Sequence, residues 1–195
     1  MAAKASSSNA SYSNPLFNLR GFNHVALVAR DMAETVAWYE EKLGMKLVKT
    51  LDYPGGGQHF FLDMGNGVDG IAFFWFPNAP EGQVGEVLQG PDGVTAIGST
   101  NHIAFDVPAE QFDAYRRRLK ELGVQVTPIV NHANSLAGGH KAEYDAATDD
   151  GDVFIRSMYF MDPNGVRLEF ACWTKQLDES DVRHEPKRAR TPVEA

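Results

Sequence analysis

The chain has 195 residues, 43% of them hydrophobic and 23% charged, which is the composition of an ordinary globular protein rather than a disordered one. Its formal net charge of −8 disfavours phosphate backbones and anionic lipid, so neither nucleic acid nor a membrane surface is expected as partner. One cysteine, Cys172, makes an internal disulfide impossible, and its place in an apolar segment suggests a small core residue.

The first residues, 1–20, read as a flexible tail rich in Ala, Ser and Asn. With no apolar signal-peptide region and no run of 18 apolar residues, a cytoplasmic protein is expected. Gly21 to Val28 has the content of a strand. A helix follows, with Asp31 as N-cap, Glu34 three residues on, Met32, Val36, Tyr39 and Leu43 on one face, and Gly44 as terminator. Three strands are predicted next, at Lys46–Leu51, Gln58–Asp63 and Ile71–Phe76.

The second half repeats this order. Asn101-His102-Ile103-Ala104-Phe105 echoes Asn23-His24-Val25-Ala26-Leu27, and Pro108 opens a helix with Phe112, Tyr115, Leu119 and Leu122 on one face before Gly123. Val124–Val130, Val153–Met161 and Val166–Trp173 supply three more strands. The chain therefore reads as α+β, with one βαβββ module over 21–100 and another over 101–174, neither able to bury its sheet face alone. A polar tail follows at 175–195. The offset between halves is 78 residues from His24 to His102 and 98 from Asn66 to Asn164, so the second module carries an insertion, placed at 131–150. Arg116-Arg117-Arg118 reads as a solvated helix face.

Glu169 is the odd residue. It lies between Leu168 and Phe170 in a segment otherwise fit for burial, and a carboxylate there needs a cation or several donors. Its equivalent in the first module, by the offset of 98, is Ile71. His24 and His102 occupy matching places in matching strands, so a pseudo-twofold relation between modules gives them equivalent places about the axis. The expected metal site is thus three-sided, with His24, His102, Glu169 and no fourth protein ligand. Such a set suits Fe(II), and also Mn(II), Co(II) or Zn(II), with open positions for substrate or oxygen. A single strand histidine is more often a core or surface residue, and a semi-buried Glu more often meets an arginine such as Arg156 or Arg167; the conjunction of the three favours a metal.

Taken together, the tandem βαβββ modules, the repeated Asn-His-Val/Ile-Ala and Tyr159-x-x-Asp162-Pro163-x-Gly165-x-x-x-Glu169 resemble the vicinal oxygen chelate superfamily, the glyoxalase/bleomycin resistance/dioxygenase family. The resemblance covers about Phe22 to Trp173. It implies paired modules forming a curved, barrel-like mixed sheet around a divalent metal held by His24, His102 and Glu169, a small-molecule substrate, and a homodimer. Glyoxalase I and the methylmalonyl-coenzyme A epimerases would place a fourth ligand where Ile71 stands. The segment from Met158 to Glu169 is similar to the signature of extradiol ring-cleaving dioxygenases, in which Tyr159 would hydrogen-bond the substrate and Fe(II) would be the favoured ion, with Mn(II) or Zn(II) as alternatives. Where those enzymes carry acid/base histidines this chain has Asp150 or Asp152, and Asp69. Candidate proton-transfer residues are therefore His59, and His132 or His140 in the inserted loop. The aromatic residues Phe60, Phe61, Phe73, Phe74, Trp75 and Phe76 are candidates for an apolar pocket wall or for plain core. The alternatives to a dioxygenase are isomerase, lyase or thiol-transfer chemistry at the same metal, and a metal-independent binder of aromatic ligands.

Overall fold

The computed structural model describes residues 15–81, 98–133, 141–142, 153–182 and 185–187. His140, Asp150 and Asp152, and most of the predicted insertion, lie outside these residues. The first module is β1 (His24–Val28), α1 (Met32–Leu43), β2 (Lys46–Tyr53), β3 (Gly57–Asp63) and β4 (Gly70–Trp75). The second is β5 (Ile103–Asp106), α2 (Phe112–Glu121), β6 (Val130–Ala133), β7 (Lys141–Ala142), β8 (Val153–Met161) and β9 (Arg167–Trp173). Each module makes its own sheet, in the orders β1-β4-β3-β2 and β5-β9-β8-β6-β7, and the two sheets do not close into one barrel. In both, the first strand runs parallel to the last and antiparallel pairs complete the ladder.

Local signals set the helix ends. The Asp31 carboxylate accepts from the Glu34 amide at 2.9 Å, and Gly44 closes α1 in the left-handed conformation at φ 68°, which only glycine adopts without strain. Pro108 begins a single 3-10 turn, Ala109–Gln111, before α2 proper. One predicted strand fails: Val124 to Ile129 is irregular and pairing begins at Val130. Pro128 has no N–H to give to a ladder. Thr127 instead ties the segment to β8, its amide donating to Tyr159 O at 3.0 Å and its hydroxyl accepting from the Tyr159 amide at 3.0 Å. Arg116 of the basic run reaches the same place, donating to Thr127 O at 3.3 Å.

One hydrophobic core spans both modules, with Tyr39, Phe73 and Ile71 from the first and Phe112, Met158, Phe160 and Leu168 from the second. Cys172 is part of it, as its apolar setting suggests. The modules are fastened by the turn Asp162-Pro163-Asn164-Gly165, which docks on α1. The Tyr39 hydroxyl donates to Asp162 Oδ2 at 3.1 Å, Asn164 Nδ2 donates to Thr35 Oγ1 at 3.1 Å, and Asn164 Oδ1 accepts from the Arg30 amide at 2.8 Å. Burial pushes the Asp162 carboxyl above its usual range even though the Val166 and Asn164 amides and Tyr39 all donate to it. Removing the Tyr39 hydroxyl takes one donor from a buried carboxylate, so Tyr39→Phe should cost about 1–3 kcal/mol. Denaturant unfolding should show a lower midpoint with an unchanged slope.

Candidate metal centre

The period of two along each strand decides which face each candidate occupies. On the first sheet, Leu27, Phe60, Leu62, Ile71 and Phe73 pack into the core, and the open face carries His24, His59, Phe61 and Phe74. The six aromatic candidates therefore divide: Phe60, Phe73 and Trp75 pack in or against the core, Phe61 and Phe74 stand in a row with the histidines, and Phe76 stacks with Phe74. The His59 ring stacks on Phe74, with centroids 3.7 Å apart and planes at 11°, and lies 4.4 Å from Phe61. Phe61 in turn meets the His24 ring edge-on at 5.6 Å. Burial, with a smaller contribution from His24, holds the His59 imidazole below its ordinary pKa. Its Nε2 is buried and has no hydrogen-bond partner among the described residues.

On the second sheet Glu169 is only 4% exposed, as the sequence required, and its partner is a histidine. His102 Nε2 stands 2.9 Å from Glu169 Oε2. Of the two arginines considered as alternatives, Arg156 lies over the Phe112 ring and pairs with Asp113 on the opposite face. Tyr159 is the cross-strand neighbour of Glu169, and its ring meets His102 edge-on at 5.6 Å. Burial first, and the Glu169 charge second, raise the Tyr159 phenol.

The pairing register corrects one assignment. Ala26 pairs with Ala72 as Ala104 pairs with Glu169, and Phe61 pairs with Ala72 as Tyr159 pairs with Glu169. The counterpart of Glu169 is therefore Ala72, not Ile71. The connection between β3 and β4 is one residue longer than that between β8 and β9, so the offset falls to 97 in the last strand, and Ile71 turns into the core. Alanine, like isoleucine, has no side-chain group that could ligate a metal at that position.

Two positioning residues went unassigned in the sequence. Asn101 Oδ1 lies 2.6 Å from His102 Nδ1, and Asn23 Oδ1 lies 2.8 Å from His24 Nδ1. The carbonyl oxygens fix the proton on Nδ1 and leave each Nε2 lone pair free, which is the arrangement metal-ligating histidines use. The signal was visible, because the Asn-His pair occurs in both halves at the same place. In the neutral imidazole with Nδ1 protonated, Nε2 and the carboxylate present lone pairs to each other at 2.9 Å, which a shared cation relieves. Two ligands at right angles, each about 2.1 Å from an ion, lie about 3 Å apart, so the His102–Glu169 pair fits a divalent metal. Asn101→Ala should weaken metal binding by about 10- to 100-fold in a titration with Zn(II) while leaving the core intact.

His24 does not join that pair within one chain: among the described residues, no three His, Cys, Asp or Glu side chains stand close enough to hold an ion. The structure thus brings together His102, Glu169 and Tyr159 on one module and His24 with His59 on the other. A crevice of about 1090 Å³ between the modules is lined by Val25, Met45 and Ile71 on one side and His102, Ile103 and Phe105 on the other, a size suited to a small ligand.

Comparison with known proteins assigns the family. The Glyoxalase/Bleomycin resistance protein/Dioxygenase superfamily profile matches residues 21–170. The chain belongs to this superfamily. It is the vicinal oxygen chelate superfamily, whose members bind divalent metals and are mostly metal-dependent enzymes. Among curated relatives, MhqE of Bacillus subtilis, provisionally named a ring-cleaving dioxygenase, is 31% identical over 108 residues, which is 54% of this chain and 33% of that protein. The match therefore spans only about a third of that relative's length. Fosfomycin resistance protein FosX of Listeria innocua is 29% identical over 110 residues, covering 56% of this chain and 71% of FosX. The glyoxylase/bleomycin resistance protein/dioxygenase domain from Frankia sp. EAN1pec has the same fold, with a TM-score of 0.54 at 18% identity over 80% of this chain and 98% of that domain. No helix among the described residues is long and apolar enough to cross a membrane.

Proposed function

We propose that this superfamily member is a metal-dependent dioxygenase acting on a small oxygen-bearing aromatic compound. The observation that carries the reading is the buried Glu169 set 2.9 Å from a histidine whose other nitrogen is already engaged by Asn101. His24 supplies the third ligand, and since it stands apart from the pair within one chain, a second copy delivers it. The open faces of both sheets support such a homodimer, with Val28, Leu51, Tyr53 and Trp173 all more than a third exposed. A divalent ion, Fe(II) by preference with Mn(II) or Zn(II) as alternatives, would supply Lewis-acid chemistry and a template for vicinal oxygens.

The protein's own groups do the rest. Tyr159 offers a hydroxyl beside Glu169 to hydrogen-bond a substrate oxygen, and its raised phenol keeps it a donor at neutral pH. His59, whose pKa burial lowers and whose Nε2 has no partner among the described residues, is the proton acceptor. Phe61 and Phe74 give a flat apolar wall on either side of it for an aromatic ring. The similarity to MhqE supports oxidation of a ring. The similarity to FosX, which extends over more of that relative, supports a second reading in which the same ligands serve non-oxidative chemistry.

The deciding experiment is elemental analysis of protein purified without chelator, followed by oxygen uptake with a panel of catechols. About one equivalent of iron per chain and catechol-dependent uptake are expected. Activity with Zn(II) under anaerobic conditions would favour the second reading, and a protein that takes up no Fe(II), Mn(II) or Zn(II) would refute both.

A further inference from the structure

The segment that leads into β1 carries three large apolar side chains within four residues, and all of them face outward: Leu16 is 79% exposed, Phe17 67% and Leu19 74%. Single exposed apolar residues are common, but a run of this kind marks a surface that something covers. The segment turns once, with the Leu19 amide donating to Phe17 O at 3.0 Å. Only beyond that turn do Gly21 and Phe22 reach the crevice between the modules and join its wall. The crevice lies beside β1 and β5, the strands that end their sheets, and Met45, Ile71, Ile103 and Phe105 give it an apolar lining.

We infer that residues 16–19 of one copy of this chain dock in the intermodule crevice of a second copy, and that the exchange is reciprocal. Exposed apolar residues and an apolar crevice of about 1090 Å³ stand on the same molecule, yet the segment does not fill its own chain's crevice. A two-fold axis supplies the missing contact, because it presents each segment to the other copy's crevice and satisfies both at once. The area is adequate. Two Phe17 rings hide about 300–500 Å². Four leucines and a comparable area of crevice wall bring the total to about the 1,200 Å² at which stable interfaces begin. The segment runs directly into β1, which bears His24, so the exchange anchors the strand that the proposed metal site takes from the second copy. That consequence rests on the pairing of copies proposed above, whereas the docking itself needs no metal.

The test uses the full chain freed of metal with chelator. Phe17→Ser combined with Leu19→Ser alters exposed positions only, so each chain should fold as before, which circular dichroism checks. Sedimentation equilibrium should show a dimer in the parent and a dissociation constant raised by at least about 100-fold in the variant. The crevice is read through methionine methyl resonances, Met45 being assigned through Met45→Leu. In the parent the Met45 methyl should shift between dilute and concentrated protein under the ring of Phe17, and in the variant it should keep its monomer position. Labelled variant mixed with an excess of unlabelled parent should regain the dimer position, since the parent lends its segment to the other copy's crevice; docking within one chain would leave the signal unmoved. An unchanged dissociation constant in the variant, a parent that stays monomeric, or a Met45 signal indifferent to the second copy overturns the docking. A dimer that survives the loss of Phe17 and Leu19 would leave the proposed metal site standing without this contact, and docking in a protein that takes up no metal would do the reverse, so the two failures are separable.

Discussion

Glu169→Gln is expected to abolish metal retention while leaving the metal-free protein folded and no less stable. The carboxylate is 4% exposed and faces a histidine nitrogen at 2.9 Å, with the Tyr159 hydroxyl as its other neighbour. In the metal-free chain it is a buried anion whose desolvation costs several kcal/mol, and a neutral His102 that turns its Nε2 lone pair to the carboxylate does not offset that cost. Glutamine keeps the shape and the acceptor for Tyr159, and its amide can donate to His102 Nε2, so no group is orphaned. Thermal unfolding of the chelated protein should therefore show an unchanged or higher midpoint. Metal affinity should fall by more than about 100-fold, beyond the range that loss of a supporting residue such as Asn101 produces. A variant that is destabilised but still binds metal would assign Glu169 to the core rather than to the site.

That Glu169 could be singled out from sequence is a matter of period. A carboxylate between Leu168 and Phe170 violates the pattern of its own strand, and the violation is local, so it can be read without knowing the fold. The two histidines were legible from the repeat, which displays one in each module in the same setting. The helix limits at Asp31 and Gly44 rest on capping chemistry that is equally local. What was not legible is set by distances along the chain that carry no period. The one-residue difference in turn length that makes Ala72, and not Ile71, the partner of Glu169 emerges only from the ladder. The division of Phe60, Phe61, Phe73 and Phe74 between core and open face follows alternation, yet which face is covered depends on where α1 lies. The clasp of Asn164 on Thr35, 129 residues away, had no signal at all, and that clasp holds the modules in the arrangement that parts His24 from His102.

That separation leads to the second large effect. Equal amounts of His24→Ala and Glu169→Ala protein, each nearly metal-free alone, should regain metal binding when mixed under conditions that exchange subunits. If one copy gives His24 and the other gives His102 and Glu169, a mixed dimer has one site with both substitutions and one site with none. Random pairing makes half of the dimers mixed, so the mixture should hold about a quarter of the metal of the parent protein. If the three ligands came from a single chain, every site in the mixture would still lack one, and no metal would return. The result is insensitive to which ion is used, because the comparison is between mixtures of the same chains. It also gives the open sheet faces a definite role, since the surface around His24, His59 and Phe61 would then roof the His102–Glu169 pair of the other copy. Recovery of metal near the expected fraction would make the active unit the dimer. Absence of recovery, with subunit exchange verified by mass, would place His24 against its own chain's pair through a movement of the two modules about the Asp162–Tyr39 contact.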